Sequence, residues 1–202
     1  AWSKEATNSS NSKPCSHHSP SSKDHMLWTD KYQPKSLKDI KGNEAALQSL
    51  KKAILEKKTV LLYGPVGCGK TSSVHALSTE RDLELIEINA SDFRDKESIQ
   101  HTVGNSLHQM SLFQREKIIL VDEIDGVEGD ADRGGIPALA GLLDQKTHAV
   151  VLTANNPWDT KFSTLRKKTI LIEFKTLTPL HVYDTLKHIC EREEIHHLDK
   201  DL

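Results

Sequence analysis

The sequence predicts an α/β protein: a five-stranded parallel sheet flanked by helices. Two observations carry this. Short runs rich in Val, Ile and Leu alternate with stretches of helical period, the pattern of βα units around a parallel sheet. The run Ile118 to Val121 in particular looks buried, as a strand inside such a sheet would be. The expected strands are Val60 to Tyr63, Glu84 to Asn89, Lys117 to Val121, Ala149 to Thr153 and Thr169 to Phe174. Ahead of the first, Ala46, Leu47, Leu50 and Ile54 share one helical face; Ile99, Val103 and Leu107 follow the second strand, and Ile136, Leu139, Leu142 and Leu143 the third. After the fifth strand, Thr178 and Pro179 read as a helix start, an N-cap oxygen followed by proline in the first turn. Val182, Leu186, Ile189 and Cys190 give that helix an apolar stripe.

The chain has 202 residues, with 27 Lys plus Arg against 29 Asp plus Glu and a formal charge of −2. Such a balance does not suit a protein that coats nucleic acid or anionic lipid with its whole surface, so any polyanion must be met by a local patch. No apolar run approaches the ~20 residues needed to cross a bilayer, and no membrane partner is expected. Cys15, Cys68 and Cys190 are too few and scattered for a disulfide framework or a zinc site, which favours an intracellular, reducing location. Residues 1–26 hold eight Ser, three His and two Pro but no Leu, Ile, Val or Phe. They are expected to form a disordered or appended tail that cannot repay the entropy of ordering. Cys15, His17 and His18 lack a fourth ligand and a scaffold for a metal.

Three strand ends carry the chemistry. Gly64-Pro65-Val66-Gly67-Cys68-Gly69-Lys70-Thr71 follows a strand and opens a helix bearing Val74 and Leu77. This is the phosphate-binding Walker A pattern in its required context. Glycines allow backbone N–H groups to wrap a phosphate at a helix N-terminus; Lys70 is expected to reach the β- and γ-phosphates and Thr71 to ligate Mg²⁺. The run Ile118 to Val121 ends in Asp122, Glu123 and Asp125. Asp122 is placed to hold Mg²⁺ through water and Glu123 to activate the water that attacks the γ-phosphate, since phosphoryl transfer needs chiefly positioning and charge compensation. Asp125 is as readily the start of a turn. The run Val150 to Thr153 leads through Ala154 into Asn155 and Asn156; an amide there can hold attacking water and a γ-phosphate oxygen without adding charge.

Further boxes extend the pattern. Trp28-Thr29-Asp30-Lys31-Tyr32-Gln33-Pro34, Asp39-Ile40-Lys41-Gly42-Asn43-Glu44, Ile88-Asn89-Ala90-Ser91-Asp92 and Asp132-Arg133-Gly134-Gly135 together resemble the clamp-loader branch of the AAA+ ATPases, in its large-subunit, archaeal form. The resemblance runs from about Leu27 to the chain end. It implies the sheet order 5-1-4-3-2, with Asn155 as the sensor that meets the γ-phosphate. It implies ATP and Mg²⁺ as cofactors, with Tyr32, Pro34, Ile40 and Lys41 lining adenine and ribose. It also implies that the helix beginning near Arg94 faces DNA, and that the partners are clamp-loader small subunits, the sliding clamp and primer-template DNA. Location follows the source, cytoplasmic if archaeal and nuclear if eukaryotic.

The resemblance divides the chain into the tail 1–26, an AAA+ nucleotide-binding domain 27–175 and the first part of a helical lid domain 176–202, the rest of which is expected beyond Leu202. Gln33 and Lys41 depart from the usual Arg and apolar residue. The Ser-Arg-Cys motif that supplies an arginine finger in small subunits is replaced by Thr164-Leu165-Arg166-Lys167, so this chain is expected to receive its finger in trans. Competing classes are a GTPase, a small-molecule kinase, a subunit that binds nucleotide only for assembly, or a related AAA+ ATPase of DNA repair. The sequence has no Asn-Lys-x-Asp guanine loop and no marked acceptor pocket, and a binding-only subunit has no use for Glu123.

Overall fold

The computed structural model describes residues 27–90, 101–105, 116–126, 135–145 and 147–195. The chain divides into two units, Ala1–Lys31 and Tyr32–Leu202. In the first, the described part ends in one helical turn, α1 (Trp28–Lys31), closed by the N–H groups of Asp30 and Lys31 on the Leu27 carbonyl. Several sequence expectations lie outside the described residues: the tail with Cys15, His17 and His18; Ser91 and Asp92; Arg94 and its helix start; Ile99; Leu107; and Asp132 to Gly134.

In the second unit a short 3₁₀ turn (Leu37–Asp39) is held by a capping box: Ser36 Oγ accepts the Lys38 N–H while Asp39 accepts the Ser36 N–H. Helix α2 (Glu44–Leu55) buries Leu47, Leu50, Ala53 and Ile54, the apolar face its spacing calls for. Then come β1 (Thr59–Tyr63), α3 (Lys70–Arg81), β2 (Glu84–Asn89), a helical stretch at 101–105 with Val103 buried, and β3 (Lys117–Asp122). They are followed by α4 (Gly135–Leu142), β4 (Ala149–Ala154), α5 (Ser163–Lys168), β5 (Ile170–Glu173) and α6 (Pro179–Arg192).

The five strands pair in the order β2-β3-β4-β1-β5, all parallel, which is the expected 5-1-4-3-2 counted from the other edge. Leu62 lies opposite Thr153 and Val121 opposite Leu152, so the C-terminal ends of β1, β4 and β3 stand side by side. Alternate residues feed two cores. Val60, Leu62, Ile118, Leu120 and Val151 pack with α2 and α3; Leu61, Ile119, Val121, Val150 and Leu152 pack with Ile136, Leu139, Phe162 and Leu165. At ~25 cal/mol per Å² of apolar surface, burial on both faces of three central strands is the main force holding the strand ends in place.

The ladder departs from the sequence expectation at its margins. Strands β3 and β4 each run one residue further, to Asp122 and Ala154, while Thr169 and Phe174 fall outside β5. Helix α5 was not foreseen, because six residues are under two turns and show no repeat; its Leu165 and the preceding Phe162 are nonetheless buried. Thr178 caps α6 by accepting the His181 N–H, with Pro179 in the first turn. No residue of α6 is buried, and Val182 and Leu186 of its apolar stripe are 44% and 40% exposed. Among the described residues, no helix is long and apolar enough to cross a membrane.

Candidate active site

The site is built where β1, β4 and β3 end. After Tyr63 the chain turns through Gly64, whose φ of +147° belongs to glycine. A Cβ on Gly64 would stand 2.0 Å from the Phe174 carbonyl oxygen, because Phe174 bonds back to Tyr63 and fills that space. The loop continues through Val66, which is exposed, and Cys68, which is buried, into α3. Gly69 precedes the helix in the left-handed region and brings no side chain to its first N–H groups. Uncapped N–H groups and the helix dipole make that end favourable to an anion.

Lys70, the first residue of α3, donates to the carbonyls of Gly64 at 2.8 Å and Pro65 at 3.0 Å and to Asn155 Oδ1 at 3.1 Å. One ammonium therefore joins the loop after β1 to the end of β4. Thr71 Oγ1 donates to the Asp122 carboxylate at 3.0 and 3.1 Å, joining α3 to the end of β3. A cleft of about 160 Å³ lies among Lys70, Thr71, Asp122, Glu123, Asp125 and Asn155. Glycine loop, cation and helix end fit a polyphosphate. Thr71 and Asp122 present adjacent hard oxygens, and among the described residues no three His, Cys, Asp or Glu gather as a cage. That set fits Mg²⁺, which binds through one or two carboxylates and substrate phosphates.

The four residues expected at the base do not line this cleft. Ile40 lies beside it, its Cγ2 3.8 Å from where a Cβ on Gly69 would stand. Tyr32 donates its hydroxyl to Glu193 Oε1 at 2.6 Å. Pro34 is half-buried and Lys41 is exposed. Three residues that the motifs did not single out, or left as a turn, organise the site. Asp125 accepts the backbone N–H of Asn155, fixing the loop after β4. Asn43 pairs with both the N–H and the carbonyl of Lys175, at 2.8 and 3.0 Å, and donates to the Cys68 carbonyl at 3.4 Å. Thr153 contacts both Asp122 and the Glu123 backbone. Asp125 carries a signal in sequence, a third carboxylate after an apolar strand; Thr153 looks like any β-branched strand residue.

Parallel order, glycine loop and carboxylate strand end define a P-loop nucleotide-binding protein. Residues 60–176 match the family described as "ATPase family associated with various cellular activities (AAA)", and the chain belongs to that family. Within it, the chain resembles the large subunits of replication factor C. That of Nanoarchaeum equitans is 46% identical over 178 residues, covering 85% of this chain and 41% of that protein. That of Staphylothermus marinus is 45% identical over 175 residues, covering 83% and 41%. That of Sulfolobus acidocaldarius is 42% identical over 185 residues, covering 88% and 42%. The chain thus spans about two fifths of the length of the curated relatives it matches. Among solved structures it is similar to the Thermotoga maritima RuvB Holliday junction branch migration motor. The TM-score is 0.62 at 20% identity, over 83% of this chain and 57% of that one, a likeness of fold.

Proposed function

We propose that this chain is the ATP-binding and ATP-hydrolysing part of a sliding-clamp loader subunit of the replication factor C large type, coupling ATP binding to clamp opening and loading on primer-template DNA. The observation that supports it best is the meeting of Lys70 with Asn155, and of Thr71 with Asp122, across the ends of three strands. In this reading Gly64 to Gly69 cradle the phosphates and Lys70 offsets charge on the β- and γ-phosphates. Glu123 orients and deprotonates the attacking water, and Asn155 holds that water and a γ-oxygen. Thr71 and Asp122 would hold Mg²⁺, which when bound neutralises charge between the β- and γ-phosphates. Tyr32, Pro34, Ile40 and Lys41 are assigned to the base and ribose, Arg94 to DNA phosphate, and 176–202 to the start of a lid; the exposed stripe on α6 supports the last assignment.

The arginine finger comes in trans. Arg166, nearest in sequence to where small subunits carry theirs, donates to the Pro157 and Asp159 carbonyls and lies 5.6 Å from the Trp158 ring, occupied within its own chain. The test is a titration with ATP and GTP. Lys70→Ala should abolish ATP binding, Glu123→Gln should bind ATP as wild type while stopping turnover, and GTP should bind more weakly than ATP. Equal binding of GTP, or an Ala variant that still binds ATP, would overturn the reading.

A further inference from the structure

Thr153 is 1% exposed, on β4 between the two strands whose ends carry the Walker residues. Its hydroxyl is used in both directions: it donates to Asp122 Oδ1 and accepts the backbone N–H of Glu123 at 2.9 Å. Glu123 has φ of +54°, the left-handed region that a residue with a side chain rarely enters unless something holds it there. The same oxygen therefore fixes one oxygen of Asp122 and the backbone turn that sets the direction in which Glu123 leaves the strand. The Asp122 carboxylate is shared with Thr71, so two hydroxyls from different elements fix it.

We propose that Thr153 is a positioning residue for hydrolysis, acting through both carboxylate-bearing residues at once. The proposal rests on the reading of Asp122 and Glu123 given above. Valine matches threonine in shape but can neither donate nor accept, so Thr153→Val would leave the Glu123 N–H and an Asp122 carboxylate oxygen each short of a partner. Glu123 would then be released from its left-handed turn while the phosphate loop, to which the Thr153 hydroxyl is not bonded, stays as it is. The competing explanation is that threonine merely fills a buried strand, where its β-branch suits the pleat; valine would then serve as well.

The experiment uses the full-length protein assembled with its partner subunits, whose own ATP sites are disabled. Thr153→Val should lower kcat by about 10- to 100-fold, the usual loss when a partner of a metal-holding ligand is removed. KM for ATP, and ATP affinity without Mg²⁺, should stay within about threefold because the phosphate loop is untouched. Hydrogen exchange at the Glu123 amide should quicken by about tenfold or more, as its bonded state loses its acceptor. Thr153→Ser should restore both rate and exchange; Thr153→Ala, which adds no bulk, repeats the loss if the valine variant does not fold. The double variant Thr153→Val with Glu123→Gln should be no slower than Glu123→Gln alone. Turnover unchanged in Thr153→Val but stopped in Glu123→Gln overturns the positioning role and leaves the role of Glu123 standing. Equal losses in the valine and serine variants overturn it too. Wild-type turnover in Glu123→Gln overturns the reading on which it rests.

Discussion

At the scale of single residues, the glycines of the phosphate loop are not equivalent. Gly64 has φ +147°, and a Cβ there would meet the Phe174 carbonyl at 2.0 Å. That carbonyl belongs to a fully buried residue whose N–H is bonded to Tyr63 at 2.7 Å, so it cannot step aside. Gly67 has φ +76° with nothing within 4 Å. Gly64→Ala should therefore cost about 3 kcal/mol, strain plus overpacking, and Gly67→Ala about 1 kcal/mol from backbone conformation alone. Urea unfolding of the two variants checks this, and equal losses would refute the steric account. Motif spacing picked out Lys70, Thr71 and Asp122 in the sequence and the family resemblance picked out Asn155; the structure brings the four together at the strand ends. Thr153 and Asn43 were not legible. Their roles depend on partners 31 and 132 positions away, which only the strand order brings close.

At the scale of elements, α3 is tied to the segments before it by one carboxylate. Glu80 accepts the Leu37 N–H at 3.0 Å and Lys51 Nζ at 2.9 Å, linking the 3₁₀ turn and α2 to α3. The Lys51 hydrogen bond first, and the Leu37 N–H second, hold its carboxyl below the ordinary value of 4.5. A depressed folded-state value stabilises above the unfolded one and is lost on acidification. The contribution is therefore complete above about pH 4.5 and disappears as pH falls through the lower folded value. Glu80→Gln should lower stability at pH 7 by roughly 1 kcal/mol, a deficit that shrinks in acid, as urea unfolding at pH 7 and pH 3 would show; an equal deficit at both would refute the linkage. The central strands were legible as elements because burial on both faces leaves them continuously apolar. Helix α5 was not, since its two buried anchors, Phe162 and Leu165, are too close together to display a period.

At the scale of the molecule, hydrophobic pattern called for five parallel strands but left their order open; that order came from the resemblance of the boxes. On the proposed reading, the site is completed by an arginine from a neighbouring subunit. A finger arginine is worth about 10³ to 10⁵ in rate, roughly 4 to 7 kcal/mol at ~1.4 kcal/mol per factor of ten. Arg166 is engaged by two carbonyls and an indole ring and cannot serve as a substitute. The chain alone should bind Mg·ATP yet turn it over at least about 10³-fold more slowly than the full-length subunit assembled with small subunits that have disabled sites but intact fingers. Turnover equal in the two settings would show that the site needs no arginine from outside.

Strand order also governs when the site can exist during synthesis. The two hydrogen-bonded neighbours of β1 are β4 and β5, which begin at Ala149 and Ile170. A nascent chain that has passed Thr71 already carries the whole glycine loop, but no strand beside β1 to hold it. About eighty further residues must emerge before Thr153 arrives opposite Leu62. Closing so long a loop is entropically unfavourable, and non-local pairing of this kind slows folding. The glycine loop is therefore complete in sequence well before β4 and β5 flank β1, and the candidate site is assembled late.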